Sequence, residues 1–160
     1  MSLKQEFELL RRVPLFAEIE PSRLKLLAFM SERVGFDAGK IIVRQGDTAD
    51  AAYLIIDGHA EVIAETSSGP VILATLGANE TVGEMGILGN APRNATVRAT
   101  DRLIALRISK EPFMRMVREF PNIAVSIMQE LAHRLDVTNN QLRAAMAENK
   151  RLREQVGLAA

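Results

Sequence analysis

The stretch Gly83-Glu84-Met85-Gly86-Ile87-Leu88-Gly89-Asn90-Ala91-Pro92-Arg93-Asn94-Ala95-Thr96-Val97-Arg98-Ala99 carries the chemistry of this chain and decides how the rest is read. Its first part is a glycine-flanked apolar turn with the character of a short helix, and its last part alternates as a strand. A helix opening after glycine leaves backbone N–H groups unpaired, and a phosphate placed there meets those donors and the positive end of the helix dipole. Arg93 supplies the matching cation, since its planar fork takes two phosphate oxygens, and the N–H groups of Asn94 and Ala95 follow it directly. Glu84 has a different task, because a carboxylate beside a phosphate repels it. It faces hydroxyl donors, and a ribose is the obvious one. The stretch is expected to hold a small phosphate ester. The alternative for the same two residues is a plain ion pair across the turn.

Outward from this segment, the hydrophobic period is two from Val34 to Ile108. Short strands are expected over Lys40 to Arg44, Ala51 to Ile56, His59 to Glu65, Val71 to Leu76, Asn94 to Ala99 and Leu103 to Ile108. Nine of the ten glycines fall between Gly35 and Gly89, so the corners are concentrated here. Gly39, Gly46-Asp47, Asp57-Gly58 and Ser68-Gly69-Pro70 mark them, with Asp57-Gly58 the strongest hairpin signal. Short strands punctuated this regularly predict a small β-barrel or jelly roll.

The same residues carry a resemblance. Gly83-Glu84, the apolar turn and Pro92-Arg93-Asn94-Ala95-Thr96-Val97 resemble the phosphate-binding cassette of cyclic nucleotide-binding domains, and the likeness extends more loosely from about Val13 onward. The resemblance implies a mainly β fold with flanking helices, a double-stranded β-helix (jelly roll or β-roll) with N-terminal helices and a long C-terminal coiled-coil dimer helix. It implies that Glu84 holds the ribose 2′-hydroxyl and Arg93 the cyclic phosphate, with Gly83, Met85, Gly86, Asn94 and Ala95 completing the ligand contacts. The β-roll interior is where Ile55, Val62, Ile72 and Leu73 or their strand neighbours would line the cavity. Val82 stands where an aromatic often precedes the glycine, a packing change. Asn94 stands where many members have alanine, serine or threonine, which leaves the choice of purine open.

Helices flank the strands. Leu3 to Val13 has helical spacing and ends at Pro14; a second helix opens at Pro21 with Leu24, Leu27, Ala28 and Met30. Ser109 is expected to cap a helix running through Glu119, and Pro121 to start the last one. In that last helix Met128, Leu135, Leu142, Asn149 and Val156 form one row, and Leu131, Thr138, Ala145 and Leu152 another, spaced alternately by four and three. These are the a and d positions of a coiled coil over about four heptads. Asn149 at an a position favours a parallel, in-register pair, and Glu148 could meet Arg153 between chains. A homodimer through Met128, Leu131, Leu135, Leu142, Asn149 and Leu152 is expected; the alternative is a helix that packs back on its own barrel. The segment Arg134 to Asn139 is also similar to the dimer-helix stretch of the catabolite activator protein. That likeness makes Thr138 and Asn139 candidate base contacts, Thr138 from both chains, against the alternative of a tolerated polar seam residue. No aromatic residue follows Phe120, so this helix offers no stacking lid.

Composition bounds the rest. A chain of 160 residues is most simply one domain, residues 1–120 forming helices and β-roll and 121–160 the dimer helix of the same domain. Without cysteine there is neither a disulfide framework nor a thiolate metal site. Only His59 and His133 are present, in different kinds of element, too few for the histidine-rich metal shell of jelly-roll enzymes, and His59 reads as a surface strand residue. No catalytic base stands near Ser67, Ser68 or Thr96 in sequence. No run approaches the roughly 18 apolar residues of a membrane span, and no signal-like N-terminus is present, so a cytoplasmic location is expected. Basic and acidic residues balance at 20 each, so no field draws the chain to nucleic acid or membrane.

The expected function is a non-enzymatic cyclic nucleotide receptor that uses no metal. Its ligand is cyclic AMP or cyclic GMP, with Thr138 and Asn139 favouring the former, and its last helix passes the signal to an unknown effector. Relatives that are transcription factors continue into a helix-turn-helix module, whereas this chain stops at Ala160, so direct DNA binding is not expected. The alternatives are a dimerisation scaffold with a non-functional pocket, or a sensor fragment of a longer regulator or channel. Retention of both Glu84 and Arg93 argues against the scaffold.

Overall fold

The computed structural model describes residues 2–157, apart from the side chains of Leu15 and Met85. The elements run α1 (Leu3–Arg11), a 3₁₀ turn (Pro14–Phe16), α2 (Pro21–Met30), β1 (Glu32–Phe36), β2 (Ile41–Val43), β3 (Ala51–Asp57), β4 (Ala60–Thr66), β5 (Gly69–Leu76), β6 (Thr81–Val82), α3 (Glu84–Leu88), β7 (Thr96–Ala99), β8 (Leu103–Ser109), α4 (Lys110–Glu119) and α5 (Pro121–Gln155). Two four-stranded sheets, ordered β1-β8-β3-β6 and β2-β7-β4-β5, pair antiparallel throughout. This is the expected β-roll with flanking helices. β1 and the two-residue β6 are additional to the strands that the alternation marks.

Strand β3 sits between two cores. Because successive side chains point to opposite faces, Ala51, Tyr53 and Ile55 enter the space between the sheets, while Ala52 and Leu54 face the helices. β8 does the same, with Leu103 and Ala105 inward and Leu106 and Ile108 toward Phe16, Leu24, Leu27 and Phe113. Val82 is buried in the inter-sheet core, the packing role expected of it.

Asp57-Gly58 is a corner and not a hairpin. β3 and β4 belong to different sheets, and among the described residues the only hairpin between consecutive strands is β4–β5, closed at Ser67-Ser68. The glycine is needed because the β7–β8 corner lies against it: a Cβ on Gly58 would stand 2.8 Å from Leu103 Cα. His59, exposed and just before β4, ties the two corners together. Its backbone N–H donates to Asp101 Oδ1 at 2.7 Å and its Nδ1 lies 2.9 Å from Oδ2. At Ser109 the helix start is as expected but the cap is not, since the hydroxyl makes no capping bond and accepts instead from Arg107 Nη1 at 3.1 Å.

α5 divides in two. Ile123, Ser126 and Ile127 are buried and Leu131 packs on the helical core, so the first three turns lie on the helix's own domain. Beyond Arg134 every described residue of the helix is exposed, and the seam residues Leu135, Leu142 and Leu152 are 60, 55 and 47% exposed. Glu148, expected to reach a neighbouring chain, is held within the helix by Arg151, with Nε to Oε2 at 2.9 Å. Among the described residues no helix is long and apolar enough to cross a membrane.

The hydrogen bond to Asp101, then its charge, raise the His59 pKa, and the same bond lowers that of Asp101. The imidazolium's contribution is therefore complete below the ordinary histidine range and lost as pH rises through the raised value. The carboxylate's is lost as pH falls through the lowered one. In an NMR titration Asp101→Asn is expected to lower the His59 midpoint toward its ordinary value; an unmoved midpoint would show that the corner pair does not form in solution.

Candidate functional site

The cassette between β6 and β7 is assembled around two buried charges. Glu84, Arg93 and Ser126 are the only buried polar side chains among the described residues, and the first two lie in this segment. Burying a charge costs several kcal/mol unless partners replace its water. The partners of Arg93 are backbone carbonyls: Nη1 donates to Gly83 O, and Nη2 to Ala51 O at 2.6 Å, with Asp50 Oδ1 4.0 Å away. Its own backbone is clipped to the β2–β3 loop, Arg93 N to Asp47 O and Gly46 N to Arg93 O, both at 2.8 Å. Burial lowers the guanidinium pKa, opposed by Asp50, Tyr53, Glu84 and Asp47. At most two of its five N–H groups are committed, and the others remain for an anion.

Gly83 lets this happen. Its φ is +85°, and the guanidinium lies where a Cβ would stand, with Arg93 Cζ 3.0 Å and Nη2 3.3 Å from that position.

Glu84, 2% exposed, is not paired with Arg93. Its carboxylate accepts from Arg134 Nη1, which comes from α5. Arg134 also reaches Thr81 Oγ1 at 3.3 Å and Glu130 Oε1 at 3.5 Å. Burial works against its charge, but Glu84 and then Glu130 outweigh that and hold its pKa above the ordinary value. The ion pair across the turn is thus absent, and the sequence reading missed Arg134 altogether. Its position, four residues before Thr138 on the same helix face, was the available signal.

A cavity of about 740 Å³ lies between the β-roll and α5, within the size range of small-molecule sites. Gly83, Glu84, Gly86, Arg93, Asn94 and Ala95 line it, so the cassette residues expected at the site converge there; the Met85 side chain lies outside the described ones. Val62 and Leu73 line it as expected. Ile55 does not, being packed in the inter-sheet core, and Ile72 is 59% exposed. The reason is a bulge in the β4–β5 pairing, where Val62 meets Ala74 and Ile63 meets Ile72, so that Leu73 is the extra residue and β5 changes face. From α5 come Thr138 and, beside it, Val137 and Gln141. Asn139 is exposed and lies outside the lining of its own chain's cavity.

The site is a β-roll cavity closed by a helix, with a buried guanidinium and a buried carboxylate on one wall. Residues 33–120 match the family model of the cyclic nucleotide-binding domain, and the chain belongs to that family. It is 31% identical over 92% of its length to the cAMP-dependent protein kinase regulatory subunit of Schizosaccharomyces pombe, and 27% identical over 84% to the CRP-like cAMP-activated global transcriptional regulator of Mycobacterium tuberculosis. It spans 32% of the first relative and 61% of the second. The crystal structure of the Thermus thermophilus catabolite activator protein superposes with a TM-score of 0.74 at 29% identity, covering 83% of this chain and 63% of that one.

Gly83→Ala places a side chain in left-handed backbone and on the Arg93 guanidinium together. It is expected to destabilise the fold by about 2–4 kcal/mol, read from the urea midpoint. Gly69→Ala, also at positive φ (+100°) but facing open space, should cost about 1–2 kcal/mol, the backbone share alone. Equal losses would show that the Arg93 contact contributes nothing.

Proposed function

We propose that this chain is a non-enzymatic receptor for a cyclic purine nucleotide, cyclic AMP in preference to cyclic GMP, and that α5 relays occupancy to an effector. The observation that carries the reading is the pair of buried charges on one cavity wall. Arg93 is held by carbonyls with N–H groups to spare for a phosphate, and Glu84 offers a carboxylate to a ribose hydroxyl. The names of the kinase and bacterial relatives, both carrying cAMP, support the choice of ligand.

The relay runs through Arg134. A hydroxyl arriving at Glu84 competes with this guanidinium for the same carboxylate, so ligand changes a contact made by α5, and binding shifts an equilibrium only through such differential contacts. Dimerisation through the exposed a and d rows belongs to the same reading, because Leu135, Leu142 and Leu152 form an apolar stripe that a second α5 would cover. On that arrangement Thr138, at a d position and on the cavity wall, serves both seam and ligand, and Asn139 would reach the partner's cavity instead of its own.

Calorimetric titration of nucleotide-stripped protein with cyclic AMP is expected to give saturable binding near one site per chain. Arg93→Ala should weaken it by about 2–5 kcal/mol. Glu84→Ala should weaken binding of cyclic AMP but leave that of its 2′-deoxy analogue unchanged. Equal loss for both ligands would remove the ribose role, and near-equal binding by Arg93→Ala would remove the phosphate role.

Leu142→Glu puts a carboxylate on the stripe two turns beyond Leu135. Sedimentation is expected to show a dimer for the unaltered chain and a monomer for the variant, with helicity retained; a monomer for both would remove the dimer.

A further inference from the structure

Six residues of α5 face the cavity: Glu130, His133, Arg134, Val137, Thr138 and Gln141. Their spacing of three and one places them on a single helix face. Arg134 fixes the direction of that stripe, because it is bound to the carboxylate assigned to the ribose. Thr138 lies one turn beyond it and Gln141 about two turns, roughly 6 and 10 Å along the axis, away from Glu130. The facing segment of β5, Leu73 to Leu76, contributes a single polar side chain, Thr75.

The two polar groups that α5 brings to this end differ in what they can distinguish. A threonine hydroxyl both donates and accepts, so Thr138 suits either purine. The amide of Gln141 holds a donor beside an acceptor. That is the complement of adenine, which presents the N6 amino donor next to the N7 acceptor; guanine presents O6 and N7, two acceptors, and leaves the amide oxygen facing a lone pair. Gln141 is a g position of the heptad, beside the seam and outside it, so a partner helix on the a and d rows leaves its side chain at the cavity.

We infer that Gln141 is the residue of this chain that selects adenine over guanine, by pairing with the N6 and N7 edge of the base. This rests on the cavity being a cyclic purine nucleotide site. The test is titration of the unaltered chain, Gln141→Ala and Gln141→Lys with cyclic AMP, 7-deaza cyclic AMP and cyclic GMP, with helicity checked for each variant. The unaltered chain is expected to bind cyclic AMP at least about tenfold more tightly than either of the other two ligands, the usual discrimination of one bidentate amide pair. Gln141→Ala is expected to bind cyclic AMP and its 7-deaza analogue equally. Gln141→Lys, which offers donors only, is expected to shift the ratio toward cyclic GMP. If the unaltered chain binds and Gln141→Ala keeps its discrimination, the assignment to Gln141 is overturned while the receptor reading stands. If the unaltered chain binds none of the three, both are overturned.

Discussion

A guanidinium can be taken out of water only if its N–H groups find acceptors, and the arrangement around Arg93 follows from that requirement. Two carbonyls distant in sequence, Gly83 O and Ala51 O, converge on it, one from the turn after β6 and the other from the first residue of β3. Their convergence needs the left-handed backbone of Gly83, and it needs β3 and β6 side by side, as their pairing at Tyr53–Val82 and Leu54–Thr81 makes them. The cation thus organises the loop around it. A site held this way loses little order on binding, which favours affinity.

The β-roll supplies the rigidity. β3 and β8 are apolar on both faces, so each is pinned between the inter-sheet core and the helical layer. The cassette hangs from the edge of that doubly buried sheet, on β6, and its other end enters the second sheet as β7. Shear between the sheets would break the Arg93 contacts, since the residue and its acceptors belong to different sides of the sandwich. Stability of the fold and geometry of the site are therefore the same constraint.

The cassette was legible in the sequence because its logic is local: glycine, carboxylate, apolar turn and arginine lie within eleven residues. The alternating strands and the long last helix were legible for a similar reason, as period and spacing are properties of contiguous chain. What was misread depends on which strands meet. Asp57-Gly58 has hairpin composition, but its strands pair with β8 and β7 and not with each other. Ile55 and Ile72 have the parity of cavity residues until the inter-sheet core claims one and the β5 bulge turns the other outward. Arg134 is marked in the sequence only by its spacing from Thr138, because its meaning comes from Glu84, fifty residues earlier.

The length of α5 has a mechanical consequence. From Pro121 to Gln155 the helix is roughly 52 Å long, packed on the core of its own domain over its first three turns and tied to the β-roll once more at Arg134, about 20 Å along it. A pivot at the Phe120 junction, where the Arg23 guanidinium stacks 3.5 Å over the ring, would set the lengths of its arms. A rigid rod held at one end is a lever. A displacement of about 1 Å at Arg134 becomes roughly 2.5 Å at Gln155. Any shift of Arg134 beside the Glu84 carboxylate would thus be enlarged about 2.5-fold at the far end of the exposed half.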